Sequence, residues 1–219
     1  MHVAYSDLMS GAWRYAVLAA CLGLAACASV RQGVAVLTHS PSDAAATAPG
    51  GRYTLDPGHA SVQFSVMHLG YAFFTGRFDD LSGTLEFRPD DPIQSTLHIR
   101  IRTASVNSGK AEVDTLLRDE LFEADDHPVI HFASADIALT GETTGTVTGA
   151  LTMGGQTRPL TLDVTFNGAA PNPLTGDDTL GFSATASLDR SDWGLGDWFP
   201  AVAHDVALRI EAEFIRQAD

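Results

Sequence analysis

The chain has 219 residues, with 13 Lys and Arg against 27 Asp and Glu, a formal net charge of −14. This length has room for one domain that buries most of its apolar surface. Because phosphate backbones repel so acidic a chain, the composition argues against nucleic acid as a partner.

Residues 1–27 have the pattern of a targeting signal. Arg14 is followed by an apolar run over residues 15–24, which is too short to span a bilayer. The run ends in Leu24–Cys27 (LAAC), which resembles the lipobox of bacterial lipoproteins, where the cysteine is acylated and becomes the mature N-terminus. An ordinary secretory signal stays open as the alternative, because residues 26–28 also have the small-x-small form.

We therefore expect a periplasmic protein that is anchored to a membrane through Cys27. Ala28, directly after the cysteine, resembles lipoproteins of the outer membrane; a soluble periplasmic or secreted protein is the alternative. Translation from Met1 or from Met9 stays open, since the first 14 residues are long and weakly charged for such a signal. Cys21 would be removed with the signal, so no internal disulfide is expected.

Residues 28–51 are rich in Ala, Ser, Thr, Pro and Gly and show no sustained periodicity. This composition predicts a flexible linker between the signal and a folded domain. We place the folded domain at residues 52–217.

The folded domain has the pattern of a succession of strands. Residues 61–68 alternate, with Val62, Phe64, Val66 and His68 on one face. Further strand patterns cover Phe73–Arg88 (one long strand or a bent pair), Thr96–Val106, Val129–Leu139, Thr146–Met153, Arg158–Asn167, Thr179–Asp189 and His204–Ile215. About eight strands with short connections predict an all-β fold, an eight-stranded antiparallel lipocalin-like β-barrel whose interior holds one small ligand.

The periodicity changes once along the domain. Residues 110–121 place Val113, Leu116 and Leu117 at helical spacing, which predicts one short helix that covers an end of the barrel or packs on its side. Gly154 and Gly155 lie between two strand patterns and predict a tight hairpin.

Alternation places aliphatic and aromatic side chains on the inward face of the strands. The candidate ligand-binding residues are Val62, Phe64, Val66, His68, Leu97, Ile99, Ile101, Leu151, Leu162, Val164, Phe166, Phe182, Leu208 and Ile210. The simpler interpretation is that they form an ordinary packed core. Small inward residues at Gly149, Ala184, Ala186 and Ala212 favour a barrel that is too wide for its own side chains to fill.

His68 continues the inward series of its strand as a polar group at the end of an apolar wall. It is either a buried histidine that is hydrogen-bonded to the backbone or a contact to the polar head of a ligand. His127 and His131 are four residues apart but lack an acidic partner, so we expect no metal site.

Enzymatic activity is not expected either. The chain has no Gly-x-Ser-x-Gly motif and no pair of carboxylates that the pattern places inside the barrel. The carboxylates of Asp163, Glu211 and Glu213 fall on the outward faces of their strands.

Five motifs in order carry a family resemblance. Residues 53–71 (YTLDPGHASVQFSVMHLGY) resemble the opening of the YceI-like family, which comprises periplasmic barrel proteins that carry polyisoprenoid lipids. Further similar motifs are Thr103–Gly109, His127–Phe132, Leu151–Leu160 and Asp189–Leu195. The resemblance covers residues 53–216. It departs in the helix, where Val113-Asp114 and Leu116 stand in place of the family's common Arg-Asp and a frequent His.

The resemblance implies a non-catalytic protein that binds, and transports or sequesters, a long isoprenoid lipid inside the barrel. The expected ligand is a polyprenyl lipid or a ubiquinone-like molecule, with no other cofactor, and the expected partners are that lipid and the membrane that holds the anchor. Two alternatives stay open: a lipid- or amide-modifying enzyme that uses His68, and a stress-response structural lipoprotein with a filled barrel. A homodimer also stays open.

Overall fold

A computed structural model describes residues 33–218, so the expected signal and Cys27 lie outside the described residues. The chain divides into two compact units. The larger one contains Pro41–Pro171 and the residues from Asp177 onward, and it holds all the strands described below. In the other, residues 33–37 are helical and Asn172–Gly176 form a turn closed by the bond from Gly176 N to Asn172 O.

Eleven antiparallel strands are present in the described part of the larger unit. They are β1 (Gly51–Leu55), β2 (Ser61–His68), β3 (Ala72–Phe78), β4 (Leu81–Phe87), β5 (Thr96–Arg102), β6 (Val106–Asn107), β7 (Val129–Leu139), β8 (Thr144–Met153), β9 (Gln156–Pro171), β10 (Asp178–Asp189) and β11 (Val202–Arg216). The segments between them contain short helical turns, and no helix within residues 33–218 has the length and apolar character of a membrane span.

Eight of these strands close into a ring. The hydrogen-bonded order is β1-β4-β5-β7-β8-β9-β10-β11, and β11 pairs back onto β1 through Tyr53 and Arg216. The predicted eight-stranded antiparallel β-barrel with one short α-helix is therefore confirmed for the described residues of the larger unit.

Three strands, β2, β3 and β6, lie outside the ring. Each is separated from a strand of the ring, β1, β4 or β5, by a bend in the chain. The chain breaks between β1 and β2 at residues 56–60, and β11 pairs with both halves. The pattern at Phe73–Arg88 resolves as the bent pair β3 and β4, broken at Asp79 and Asp80. β6 extends the line of β5 in the same way and pairs with β3.

One end of the barrel, which we call the closed end, is formed by β6, the helix and the turn after β10. The helix Ala111–Leu116 continues as a π-helical turn, Leu117–Leu121, and the ring of Phe122 packs edge-on against Phe78 at 5.6 Å between centroids. Within the helix, the Asp114 carboxylate accepts bonds from both the backbone N and the Oγ of Ser108, at 2.6 Å each.

The turn Arg190–Trp193 completes the closed end. The buried guanidinium of Arg190 donates to the carbonyl oxygens of Ala203, Asp197, Val202 and Leu195. It therefore ties the segment that follows the turn onto the barrel. The indole Nε1 of Trp193 donates to Leu151 O at 3.1 Å in the buried interior.

The opposite end, which we call the open end, carries residues 88–95, the loop 140–143 and residues 41–50. Residues 41–50, the N-terminal strap, were predicted as flexible linker, and for them that prediction is wrong. Ser42 and Ala169 exchange two backbone hydrogen bonds of 2.9 Å, and Ala48 is buried. Gly168 permits this approach, because a Cβ there would lie 2.8 Å from Pro41 Cβ.

The predicted hairpin at Gly154 and Gly155 is confirmed. Both residues have positive φ, +54° and +71°, and the flanking Met153 and Gln156 are paired. These angles define the type I′ turn whose twist matches that of the two strands.

Candidate ligand cavity

The barrel encloses a cavity of about 290 Å³, close to the lower end of the range of roughly 300–1,000 Å³ that is usual for ligand pockets. Each of the eight strands of the ring contributes apolar side chains to its wall. The filled-barrel alternative is therefore contradicted, because the side chains leave space along the axis.

Eleven of the fourteen candidate residues line this cavity. They are Val62, Leu97, Ile99, Ile101, Leu151, Leu162, Val164, Phe166, Phe182, Leu208 and Ile210. Alternation predicted their inward orientation correctly; their role as ligand contacts stays a prediction.

The other three candidates lie on β2 toward the closed end and do not line the cavity. Phe64 packs against Phe78 at 5.9 Å between ring centroids, and its ring lies over Gly76 on the neighbouring strand. Val66 is buried in the same packed layer. These two residues belong to the floor below the cavity and not to its wall.

The inward placement of His68 is wrong. It shares a face of β2 with Val66, but it is exposed at the last position of the strand, paired with Ala72 and Val202. The packed layer ends at Val66, so the next inward position lies beyond the core. The enzyme alternative therefore loses the residue on which it was based.

The small inward residues that the sequence analysis named account for the cavity only in part. Ala184 and Ala212 line the cavity, whereas Ala186 packs against the core. At Gly149 the room is already taken, because a Cβ there would lie 2.5 Å from the ring of Phe132. The hollow interior therefore depends on the alanines of β10 and β11.

Two groups of lining residues are absent from the list of candidate ligand-binding residues. The first group continues the alternation of strands already identified and comprises Leu55, Leu81, Leu85, Phe87, Ile130, Phe132, Ile137, Val147, Met153, Leu160, Leu188 and Phe214. The second group lies at the open end and comprises Ala45, Pro92, Ser95, Leu139 and residues 142–145. The first group could have been found by following the two-residue alternation along the whole of each predicted strand. The second group lies mostly in turns, which have no such alternation.

The open end is the polar part of the cavity. Its loop is tightly held: Thr140 N and Gly141 N both donate to Thr144 O, and Thr140 Oγ1 donates to Thr144 Oγ1 at 3.0 Å. The carbonyl of Thr143 accepts from Phe166 N at 2.7 Å. Glu142 is exposed at the tip of this loop and contributes to the lining.

Glu211 is the second carboxylate among the lining residues. It stands between Ile210 and Ala212 on β11, so its side chain points to the outer face, as predicted. There it accepts a bond from Ser183 Oγ at 2.5 Å and pairs with Arg209 at 3.1 Å. The hydrogen bond from Ser183 holds the pKa of Glu211 below its usual value.

Three side chains at the break between β1 and β2 approach one another as metal ligands can. Ligand atoms of Asp56, His59 and Glu213 lie within 4.8 Å of each other. The turn explains the approach of Asp56 and His59, since Asp56 Oδ1 accepts from Gly58 N and Oδ2 bonds His59 Nδ1 at 2.8 Å, while Glu213 lies on β11 and its carbonyl accepts from Asp56 N at 2.9 Å. His131 stacks on His98, with ring centroids 6.0 Å apart, and burial lowers the pKa of His131.

These features define a class of protein, the hollow lipocalin-like β-barrels with an apolar cavity that opens at one end. The family model of the YceI-like domain matches residues 53–214. A UPF0312 protein of Pseudomonas savastanoi pv. phaseolicola is 37% identical over 138 residues, which are 63% of this chain and 71% of that relative. The chain belongs to the YceI-like family.

Solved structures agree with this assignment. A YCEI protein of Campylobacter jejuni matches with a TM-score of 0.62 and 28% identity, over 69% of this chain and 90% of that one. A structure from Saccharophagus degradans, described as a polyisoprenoid binding domain implicated in plant cell wall breakdown, matches with a TM-score of 0.53 over 75% of this chain and 98% of that one. At 17% identity, the second match shows the fold alone.

Proposed function

We propose that this protein binds a long isoprenoid lipid, a polyprenyl or quinone tail, inside its barrel and transports or sequesters it without chemical change. The observation that carries the proposal is the apolar cavity, walled by all eight strands of the ring. Family membership supports the ligand class, since one neighbour in fold is described as a polyisoprenoid binding domain.

Apolar burial alone supplies enough affinity for this function. With an upper bound of about 0.3 kcal/mol per heavy atom, a geranylgeranyl chain of about 20 atoms gains up to about −6 kcal/mol, and each further isoprene unit that the barrel holds adds up to about −1.5 kcal/mol. Such a site needs no catalytic group, and its wall needs only to be continuous and dry.

The test is to fill the cavity. Ala184 is buried and lines it, so Ala184→Phe places a ring in the space of the ligand. We expect the purified wild type to retain prenyl lipids in an organic extract analysed by mass spectrometry, and the variant to lose them. Ala207→Phe, on the exposed face of β11, is the matched control. Retention of prenyl lipids by Ala184→Phe, or their absence from the wild type, would contradict the proposal.

We also propose that the barrel works in the periplasm, anchored to the outer membrane through an acylated Cys27. The support is the Leu24–Cys27 motif, with Ala28 after it. The intact mass of the mature protein tests this: a chain that begins at a diacylglyceryl Cys27 agrees with it, and an unmodified N-terminus contradicts it.

A further inference from the structure

The cavity is closed at one end and open at the other, so a linear ligand can enter it from the open end only. At the closed end, Phe122, Val66 and Trp193 are buried and belong to the packed floor. At the open end, Leu139 lines the cavity and is nevertheless 58% exposed. A prenyl chain therefore enters tail first, and its head group stops among the residues of the open end.

The open end presents hydroxyl groups and a negative charge to that head group. Thr143, Thr144 and Ser95 supply the hydroxyls. Both charged side chains among the lining residues are carboxylates, and Glu211 is already paired with Arg209 on the outer face. Glu142 has no such partner within residues 33–218, so its charge stands unneutralised at the rim.

This arrangement distinguishes head groups by charge. A phosphate held about 7 Å from the Glu142 carboxylate meets a like charge at a partly solvated rim, and it must give up water without gaining a cation from the lining residues. At about 7 Å and an effective dielectric constant of roughly 20 to 40, one such repulsion weakens binding by on the order of tenfold. A hydroxyl or a quinone carbonyl escapes this repulsion and finds hydroxyl partners.

Resting on the function proposed above, we infer that the cavity selects isoprenoids with an uncharged head group, an alcohol or a quinone, and rejects their phosphorylated forms. Glu142 is the residue that sets this specificity. The net charge of −14 acts in the same direction, but it is spread over the whole chain and is screened within about 10 Å at 0.1 M salt.

The test compares two ligands with the same tail. Geranylgeraniol and geranylgeranyl phosphate compete with the neutral probe diphenylhexatriene at 20 mM salt. We expect the alcohol to bind at least tenfold more tightly to the wild type. Glu142→Gln should reduce that ratio severalfold by strengthening the binding of the phosphate, with the affinity for the alcohol unchanged.

Glu112→Gln is the matched control, because it removes one charge from an exposed residue of the helix at the closed end. It should leave the ratio at its wild-type value. Equal affinity of the wild type for both ligands overturns the inference, as does a ratio that Glu142→Gln leaves unchanged. If neither ligand displaces the probe, it is the proposed function itself that fails.

Discussion

At the scale of single residues, Arg190 shows how one polar group holds an apolar barrel together. Its guanidinium is 5% exposed and donates only to backbone carbonyls, those of Ala203, Asp197, Val202 and Leu195. The planar fork of five N–H donors suits this task, whereas a lysine ammonium cannot reach as many acceptors at once.

Replacement of Arg190 by methionine should destabilise the protein strongly. The variant keeps an apolar side chain of similar length but leaves several carbonyls without a donor at the closed end. We expect a loss of about 3–5 kcal/mol in the free energy of unfolding, measured with urea. Arg158→Met, on an exposed position of β9, should cost less than about 0.5 kcal/mol. Equal costs for the two variants would contradict this role of Arg190.

The pair of Asp56 and His59 predicts a dependence of stability on pH. Their hydrogen bond raises the pKa of His59 above 6.5 and lowers the pKa of Asp56 below 3.8. The contribution of His59 is complete below pH 6.5 and is lost as the pH rises through the folded-state pKa. The contribution of Asp56 is present above pH 3.8 and is lost as the pH falls through its folded-state pKa.

Asp56→Asn removes the charge and keeps an oxygen that can still accept from Gly58 N. We expect the wild type to exceed this variant in stability most between pH 3.8 and 6.5, and less above that range. The effect is small, because the side chain of His59 is 64% exposed. An NMR titration should show the pKa of His59 falling in the variant; an unchanged value would mean that the hydrogen bond does not persist in solution.

At the scale of elements, the N-terminal strap connects the chain before the barrel to the open end of the cavity. Ala45 in the strap lines the cavity, and the Ser42–Ala169 pair fastens the strap to β9. Tyr53, fully buried, donates to Pro49 O at 2.7 Å and holds the other end of the strap. The strap therefore covers part of the open end of the cavity.

A disulfide across the strap tests this placement. Ser42→Cys with Ala169→Cys joins two directly paired positions, whose Cα separation in an antiparallel ladder of about 5.5 Å permits the bond. In a chain that begins after Cys27, we expect the oxidised form to exchange bound diphenylhexatriene more slowly than the reduced form. Equal exchange rates would place the entry route away from the strap.

The sequence predicted the fold well because side-chain alternation is a local property that a closed sheet preserves. β7 begins and ends at the predicted residues Val129 and Leu139, and most of the predicted wall lines the cavity. Position along the axis is not local: alternation places His68 and Val62 on the same face but cannot tell that one lies beyond the floor. The pairing of Ser42 with Ala169 could not be predicted from the local sequence pattern either, because the two residues are about 130 positions apart in the chain.

At the scale of the whole molecule, binding and folding are linked. A ligand that occupies the cavity binds only the closed barrel, so it stabilises that state by mass action. At a hundredfold excess over the dissociation constant the gain is about 2.7 kcal/mol. For a domain of this size, that corresponds to a rise in melting temperature of roughly 5–10 °C.

We expect this rise on adding geranylgeraniol to lipid-free protein, measured by calorimetry. Ala184→Phe should melt at a temperature that the alcohol does not change, because its cavity is filled. A similar rise in Ala184→Phe would mean that the alcohol stabilises the protein from its outer surface.

Closure of the ring depends on one late segment of the chain. β11 pairs with β10, with β2 and with β1, so it closes the ring between the tenth and the first of the described strands. Until residue 216 has been made and β11 has docked, the wall has a gap along its whole height. The enclosed cavity therefore forms only after β11 has been synthesised, and a ligand that needs an enclosed cavity can bind only after that step.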